Sequence, residues 1–246
     1  MIGSIPLRIR SGPNEGLRWS LASSGRGAVK GDFEQRRVNA FLRLLRGGDV
    51  VWDIGAHKGY VALAASGVVG PSGHVYAIEP APENLRFLRR HVGWSGRDNI
   101  NVVPVAVSDA DAKAQFGGSG SSITFRLGHG DWMVDVRTIP TLIQTGLATP
   151  HVIKIDVEGG EGGVLRGARD ALLDDMLLLV AIHSRAQYNE CVALLEQRGF
   201  RLYHSAAMRQ MMSRMPEGWS ADPDLLAVGP GRELNPDTIA QFTGAV

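Results

Sequence analysis

The chain has 246 residues, 44% of them hydrophobic, which suits one large domain with a sizeable buried core. Its 26 basic and 25 acidic residues leave a net charge of +1, so nothing in the composition attracts nucleic acid or an anionic membrane. The single cysteine, Cys191, excludes an internal disulfide and any multi-cysteine zinc or iron–sulfur centre.

Residues 1–31 are rich in Gly, Ser and Pro, and the short alternating pieces LRIR and LRWSL read as edge strands. The opening residues hold no long apolar stretch, so no secretory signal is expected and the expected location is cytoplasmic. In FEQRRVNAFLRLLRGGD, Val38, Phe41, Leu42 and Leu45 follow helical spacing and Gly47-Gly48 supplies the stop. Apolar runs at 50–54, 75–78, 100–106, 151–156 and 176–182 then read as buried parallel strands. Helical segments near 58–67, 82–93, 138–146, 161–172 and 187–198 alternate with them. The run ALLDDMLLLVAI is interrupted by Asp174 and Asp175 and is too short to span a bilayer. FRLYH and LLAVG, at 200–204 and 225–229, read as a closing antiparallel pair. The pattern predicts an α/β fold, a doubly wound and mostly parallel sheet with an antiparallel edge hairpin. It forms one compact unit, with residues 1–46 as an N-terminal extension of short strands and a capping helix, and 47–246 as the main domain.

Residues 50–60, VVWDIGAHKGY, place an acid and two glycines inside an otherwise apolar run. In a doubly wound sheet, ligands bind beyond the carboxyl ends of the strands, where the winding reverses. Strand VVWDI delivers Asp53 to that edge. Gly55 and Gly59 allow a tight turn and close backbone approach, and the following helix offers free N–H groups. The next strand, HVYAIEP, ends in Glu79, an acid suited to the two hydroxyls of a ribose, and Ala81 follows Pro80 where a flat base could lie. A nicotinamide site would carry Gly-x-Gly-x-x-Gly, but here only Gly55 and Gly59 are present, and His57 takes the middle glycine's place in the alternative pattern Asp-x-Gly-x-Gly-x-Gly. An aspartate ahead of the loop repels a pyrophosphate and suits the α-ammonium of S-adenosylmethionine (SAM), which favours SAM over a dinucleotide.

The segments DIGAHKGY (53–60), YAIEPAPENLRFLRRHV (76–92), NVVPVAVSD (101–109) and VIKIDVEGGEGGVLRGA (152–168), with Phe33-Glu34 upstream, resemble the FkbM-type family of SAM-dependent methyltransferases, within the Rossmann-like class. The resemblance covers about residues 30 to 205, and KIDVEG is its most specific element. It implies a SAM site made by Asp53, Gly55, Ala56, His57 and Gly59 on the first loop. Glu79, Pro80 and Ala81 follow on the second, with Val107 and Asp156 completing it. Three positions depart from the family's habit: His57 stands where asparagine is common, Pro140 where aspartate is usual, and Ala181 where glutamate is frequent.

Methyl transfer from a sulfonium is an in-line displacement, and a hydroxyl acceptor must also lose its proton. Asp156 and Glu158 lie at the end of one core strand and His183 at the end of the next, so the three converge if those strands are neighbours. They are the expected catalytic residues, with His183 the general base because an ordinary imidazole is largely free to accept a proton at neutral pH. The same three side chains could instead hold Mg²⁺ or a transition metal; no other metal site is expected. The resemblance implies SAM-dependent O-methylation of a hydroxyl on a small molecule, glycan or secondary metabolite as the expected activity. N- or carboxyl methylation and a non-catalytic SAM-binding partner protein are the alternatives.

Two further stretches carry expectations. The glycine-rich segment 117–131 reads as a hairpin whose tip serves as a lid. Met208, Met211, Met212 and Met215 share one helical face, read as core packing, a homo-oligomer contact or a pliable substrate wall, with Arg209 and Arg214 beside it.

Overall fold

The computed structural model describes residues 5–23, 26–118, 126–205 and 224–244. The methionine face at 208–215, Arg209, Arg214 and most of the expected lid tip lie outside the described residues.

The chain opens with a two-stranded antiparallel sheet, β1 (Pro6–Arg8) and β2 (Arg18–Ser20), followed by α1 (Arg26–Lys30) and α2 (Gln35–Leu42). These two strands pair with each other and are not edges of the main sheet. The main run continues β3 (Val50–Ile54), α3 (Tyr60–Val69), β4 (His74–Ile78), α4 (Pro82–Ser95) and β5 (Ile100–Val103). A smaller sheet follows: β6 (Ala106–Val107), β7 (Ala112–Gly117), β8 (Arg126–Leu127) and β9 (Trp132–Arg137). Then come α5 (Ile139–Gln144), β10 (Val152–Ile155), α6 (Glu161–Ala168), β11 (Leu177–Ala181), α7 (Arg185–Gln197), β12 (Arg201–His204), β13 (Asp224–Val228) and α8 (Pro236–Thr243).

Seven strands form the main sheet in the order β12-β13-β11-β10-β3-β4-β5. All neighbours from β11 to β5 are parallel, while β13 runs antiparallel between β11 and β12. The expected closing pair is therefore present. The expected strand 100–106 divides at Pro104, which has no N–H to donate to a ladder; β5 stays in the main sheet and β6 joins the smaller one. There β7 and β9 pair antiparallel, which gives the segment around 117–131 its hairpin base. Pro140 sits in the first turn of α5, where a missing N–H costs nothing, and Thr138 caps that turn by accepting from the Thr141 N–H. Among the described residues no helix is long and apolar enough to cross a membrane.

Strands buried on both faces explain the near-continuous apolar runs, and the period of two assigns each residue a side. Trp52, Ile54, Ile153, Ile155, Leu178 and Val180 fill one core cluster. Val51, Val75, Val152, Leu177 and Leu179 face the other, which also takes Ile9, Trp19, Val38 and Phe41 from the N-terminal extension. Trp19 stacks on His91 of α4 at 3.7 Å between ring centroids. The His91 ring accepts from the Ser20 N–H through Nε2 and faces the Lys58 carbonyl through Nδ1, so one imidazole ties the extension to the loop after β3. Burial holds this ring neutral, its pKa lowered to about 4.

On that same face the pattern breaks. Lys154 pairs with Asp53 across β10 and β3, and both are buried. The Lys154 ammonium lies 3.3 Å from Asp53 and 3.2 Å from Asp156. Arg37, from α2, reaches Asp156 at 3.2 Å and Asp224 at 2.8 Å. Burial opposes the charge on Lys154, yet the two aspartates outweigh it and raise its pKa to about 12. Lys154→Ala would leave Asp53 and Asp156 without this partner, and we expect it to cost about 3–5 kcal/mol in urea denaturation at pH 7. Adding Asp53→Asn should recover part of that loss; a single variant as stable as the parent would show that Lys154 is not what compensates them.

Candidate active site

The winding of the main sheet reverses between β3 and β10, and the carboxyl ends of β3, β4, β10 and β11 meet there. A cavity of about 530 Å³ opens over this edge. Its wall includes Asp53, Gly55, Ala56 and His57 from the loop after β3, Glu79 and Pro80 after β4, and Val107 from β6. Asp156 and Glu158 close the side after β10. The extension supplies Phe33, Glu34 and Arg37, residues the sequence reading had kept apart from the cofactor site.

Gly55 and Gly59 both have positive φ, 83° and 91°. A Cβ on Gly55 would collide with the Asp156 carbonyl oxygen, so that glycine is demanded by the packing of β3 against the end of β10 and not only by a ligand. Gly59 precedes α3 and lies against Leu88, off the cavity wall. Ala81 is fully buried and also off the wall, so Pro80 is the one of the pair that faces the space.

Among the described residues, three that are not glycine adopt left-handed backbone: Glu34 at φ 43°, His57 at 51° and Glu158 at 56°. All three line this cavity. Such conformations cost on the order of 1–3 kcal/mol each and persist where the surroundings enforce them. For His57 the gain is visible: its N–H donates to Glu79 Oε2 at 2.8 Å. Burial keeps its ring neutral, with a pKa lowered to about 4. Glu79 Oε1 accepts from the Ala81 N–H at 2.9 Å and from Asn84 at 3.2 Å. Glu79 thereby organises both loops; burial raises its pKa to about 7 against those hydrogen bonds.

Asp53 is buried, and neither of its oxygens accepts a hydrogen bond of good geometry from the described residues, despite the nearby Lys154 ammonium. Burial raises its pKa. A carboxylate with unused acceptor capacity, a second one at the neighbouring strand end and a glycine turn between them fit the ammonium and ribose of a SAM molecule.

Asp156, Glu158 and His183 come together as expected. His183 Nε2 lies 3.6 Å from Asp156 Oδ1 and 3.5 Å from Glu158 Oε2. The imidazole stands behind the two acids and is not itself on the cavity wall. Its Nδ1 meets Glu161 Oε1 at 2.8 Å, and that carboxylate also accepts from the Gly159 N–H. Glu161, fully buried at the start of α6, is absent from the expected site; its place in the first helical turn was the only sequence signal, and its nearness to His183 is a tertiary contact. The pair changes the chemistry of His183. Burial disfavours its charge, but the Glu161 hydrogen bond and the charges of Glu161, Asp156 and Glu158 prevail and raise its pKa to about 9. The ring is thus an imidazolium at neutral pH, not the free base expected from its ordinary value. Asp156 goes the other way: burial is outweighed by Lys154, Arg37 and His183, which lower it to about 2.

Comparison with known proteins agrees with this geometry. The model of the methyltransferase FkbM domain matches residues 53–202. Hexuronic acid methyltransferase AglP of Haloferax volcanii is 28% identical over 170 residues, 67% of this chain and 68% of that protein. A protein-L-isoaspartate O-methyltransferase of Ignicoccus hospitalis is 41% identical, but over 59 residues that make up 24% of this chain and 28% of its own. Among solved structures, Aeropyrum pernix fibrillarin with natively bound S-adenosyl-L-methionine superposes with a TM-score of 0.51 at 20% identity, covering 78% of this chain and 74% of that one. The precorrin-6y C5,15-methyltransferase of Geobacter metallireducens gives 0.50 at 17%, covering 83% and 90%. At these identities the structures speak for the Rossmann-like fold alone. The family match spans more than half of the chain and contains the acids of three strand ends, and the protein belongs to the FkbM family of SAM-dependent methyltransferases.

Proposed function

We propose that the protein methylates a hydroxyl oxygen of a sugar-containing acceptor. The observation that carries this reading is the joining of the SAM loop and the Asp156–Glu158–His183 cluster at one sheet edge. When bound, SAM supplies an electrophilic methyl group. Asp53 would accept from its ammonium, Glu79 from its ribose hydroxyls, and Pro80 and Val107 would flank the base. We assign uptake of the acceptor proton to this cluster, with Glu158 on the cavity wall and His183 behind it. The sugar comes from the likeness to a hexuronic acid methyltransferase, a protein with 28% identity to this one.

A carboxylate acceptor is the second reading, and one observation favours it. An imidazolium flanked by acids is a poor base at neutral pH, and a carboxylate needs no proton removed. The two readings differ in product, an ether stable to mild alkali or an ester that it cleaves.

Transfer of labelled methyl from SAM to hexuronate-containing glycans tests the activity. His183→Ala should lower turnover about 100-fold or more while S-adenosylhomocysteine affinity holds. Full turnover in a folded variant would remove His183 from the chemistry, and an alkali-labile product would favour the carboxylate. Cofactor affinity should also depend on pH. Glu79, raised to about 7, is only partly ionised at neutral pH, and hydroxyl donors favour its carboxylate form. Binding must therefore expel a proton at low pH, so affinity should rise from pH 6 to 8 and then flatten. Calorimetry showing no change across that range would contradict the ribose role of Glu79.

A further inference from the structure

We propose that Asp156, Glu158 and His183 bind one divalent metal cation at the edge of the cavity. The inference rests on the methyltransferase reading for its purpose, but not for the binding itself.

One ligand atom from each side chain lies within 4.8 Å of the others. Two of these separations, 3.6 Å and 3.5 Å from His183 Nε2, are close to the edges of roughly 3.0–3.5 Å spanned by ligands bonded at about 2.0–2.2 Å to one ion. The oxygens of Asp156 are divided in a way that leaves room for this. Oδ2 takes Lys154 and Arg37, whereas Oδ1 is the atom turned to His183.

The support behind the ligands also has the right form. Imidazoles that bind metals commonly give their other ring nitrogen to a carboxylate, which fixes the tautomer and strengthens the donor. Buried Glu161 holds His183 Nδ1 in this way and leaves Nε2 directed at the two acids. Two carboxylates and one imidazole suit Mn²⁺ or Mg²⁺ more than a thiophilic metal.

Mn²⁺ titrated into the full-length protein without cofactor or acceptor, with free Mn²⁺ read by electron paramagnetic resonance, tests the site. One ion per chain should bind. Glu158→Gln should abolish that binding, and Glu161→Gln, which supports His183 and the Gly159 backbone without being a ligand, should weaken it about 10–100-fold. Thermal melts in chelator control for folding, and His183→Asn provides a second ligand variant if Glu158→Gln does not fold. No saturable Mn²⁺ site, or binding unchanged in the folded Glu158→Gln variant, overturns the inference. Methyl transfer that persists in chelator alongside such a result would leave the proposed function standing. Mn²⁺ binding without turnover of any acceptor would instead uphold the cation and count against that function.

Discussion

Everything at the active edge depends on how buried charge is compensated between β3 and β10. Asp53 and Asp156 come to the carboxyl ends of two adjacent strands, on a face otherwise filled by aliphatic side chains. Two carboxylates there would repel each other in a medium of low dielectric, and Lys154 between them turns the repulsion into attraction. Arg37 extends the arrangement outward to Asp224 and so couples α2, β10 and β13. The antiparallel strand β13 thus reaches the site electrostatically as well as continuing the sheet.

This constraint also explains why the N-terminal extension belongs to the site. Trp19 and His91 dock it on α4, and from that position α2 presents Arg37 while Glu34, just ahead of the helix, adopts a left-handed backbone. Glu34, His57 and Glu158 come from three separate loops, yet their unfavourable backbone conformations surround one space. Strain gathered in this way is typical of a preorganised pocket.

Much of this was legible in the sequence because it rests on local pattern. The aliphatic runs gave the strands, and Asp53 and Glu79, read at successive strand ends, do line the cavity at that edge. What stayed hidden was non-local. Arg37 and Asp224 are far apart in the chain, and no spacing rule joins them. Lys154 reads as an ordinary lysine within KIDVEG until the register sets it opposite Asp53. His183 was correctly placed near Asp156 and Glu158, but its protonation state depends on Glu161, whose role only the packing of α6 against the end of β11 reveals. The division of the third strand at Pro104 was visible in the residue itself, since a proline inside an apolar run argues against a continuous central strand.

The central claim is that an acid ahead of a glycine turn, joined to a second acid on the neighbouring strand, makes this cavity a SAM site and not a dinucleotide site. Calorimetric titration of the purified protein with S-adenosylhomocysteine and, separately, with NAD tests it most directly. The account predicts saturable binding of S-adenosylhomocysteine at one site per chain and no measurable heat from NAD. NAD binding the more tightly of the two would contradict it.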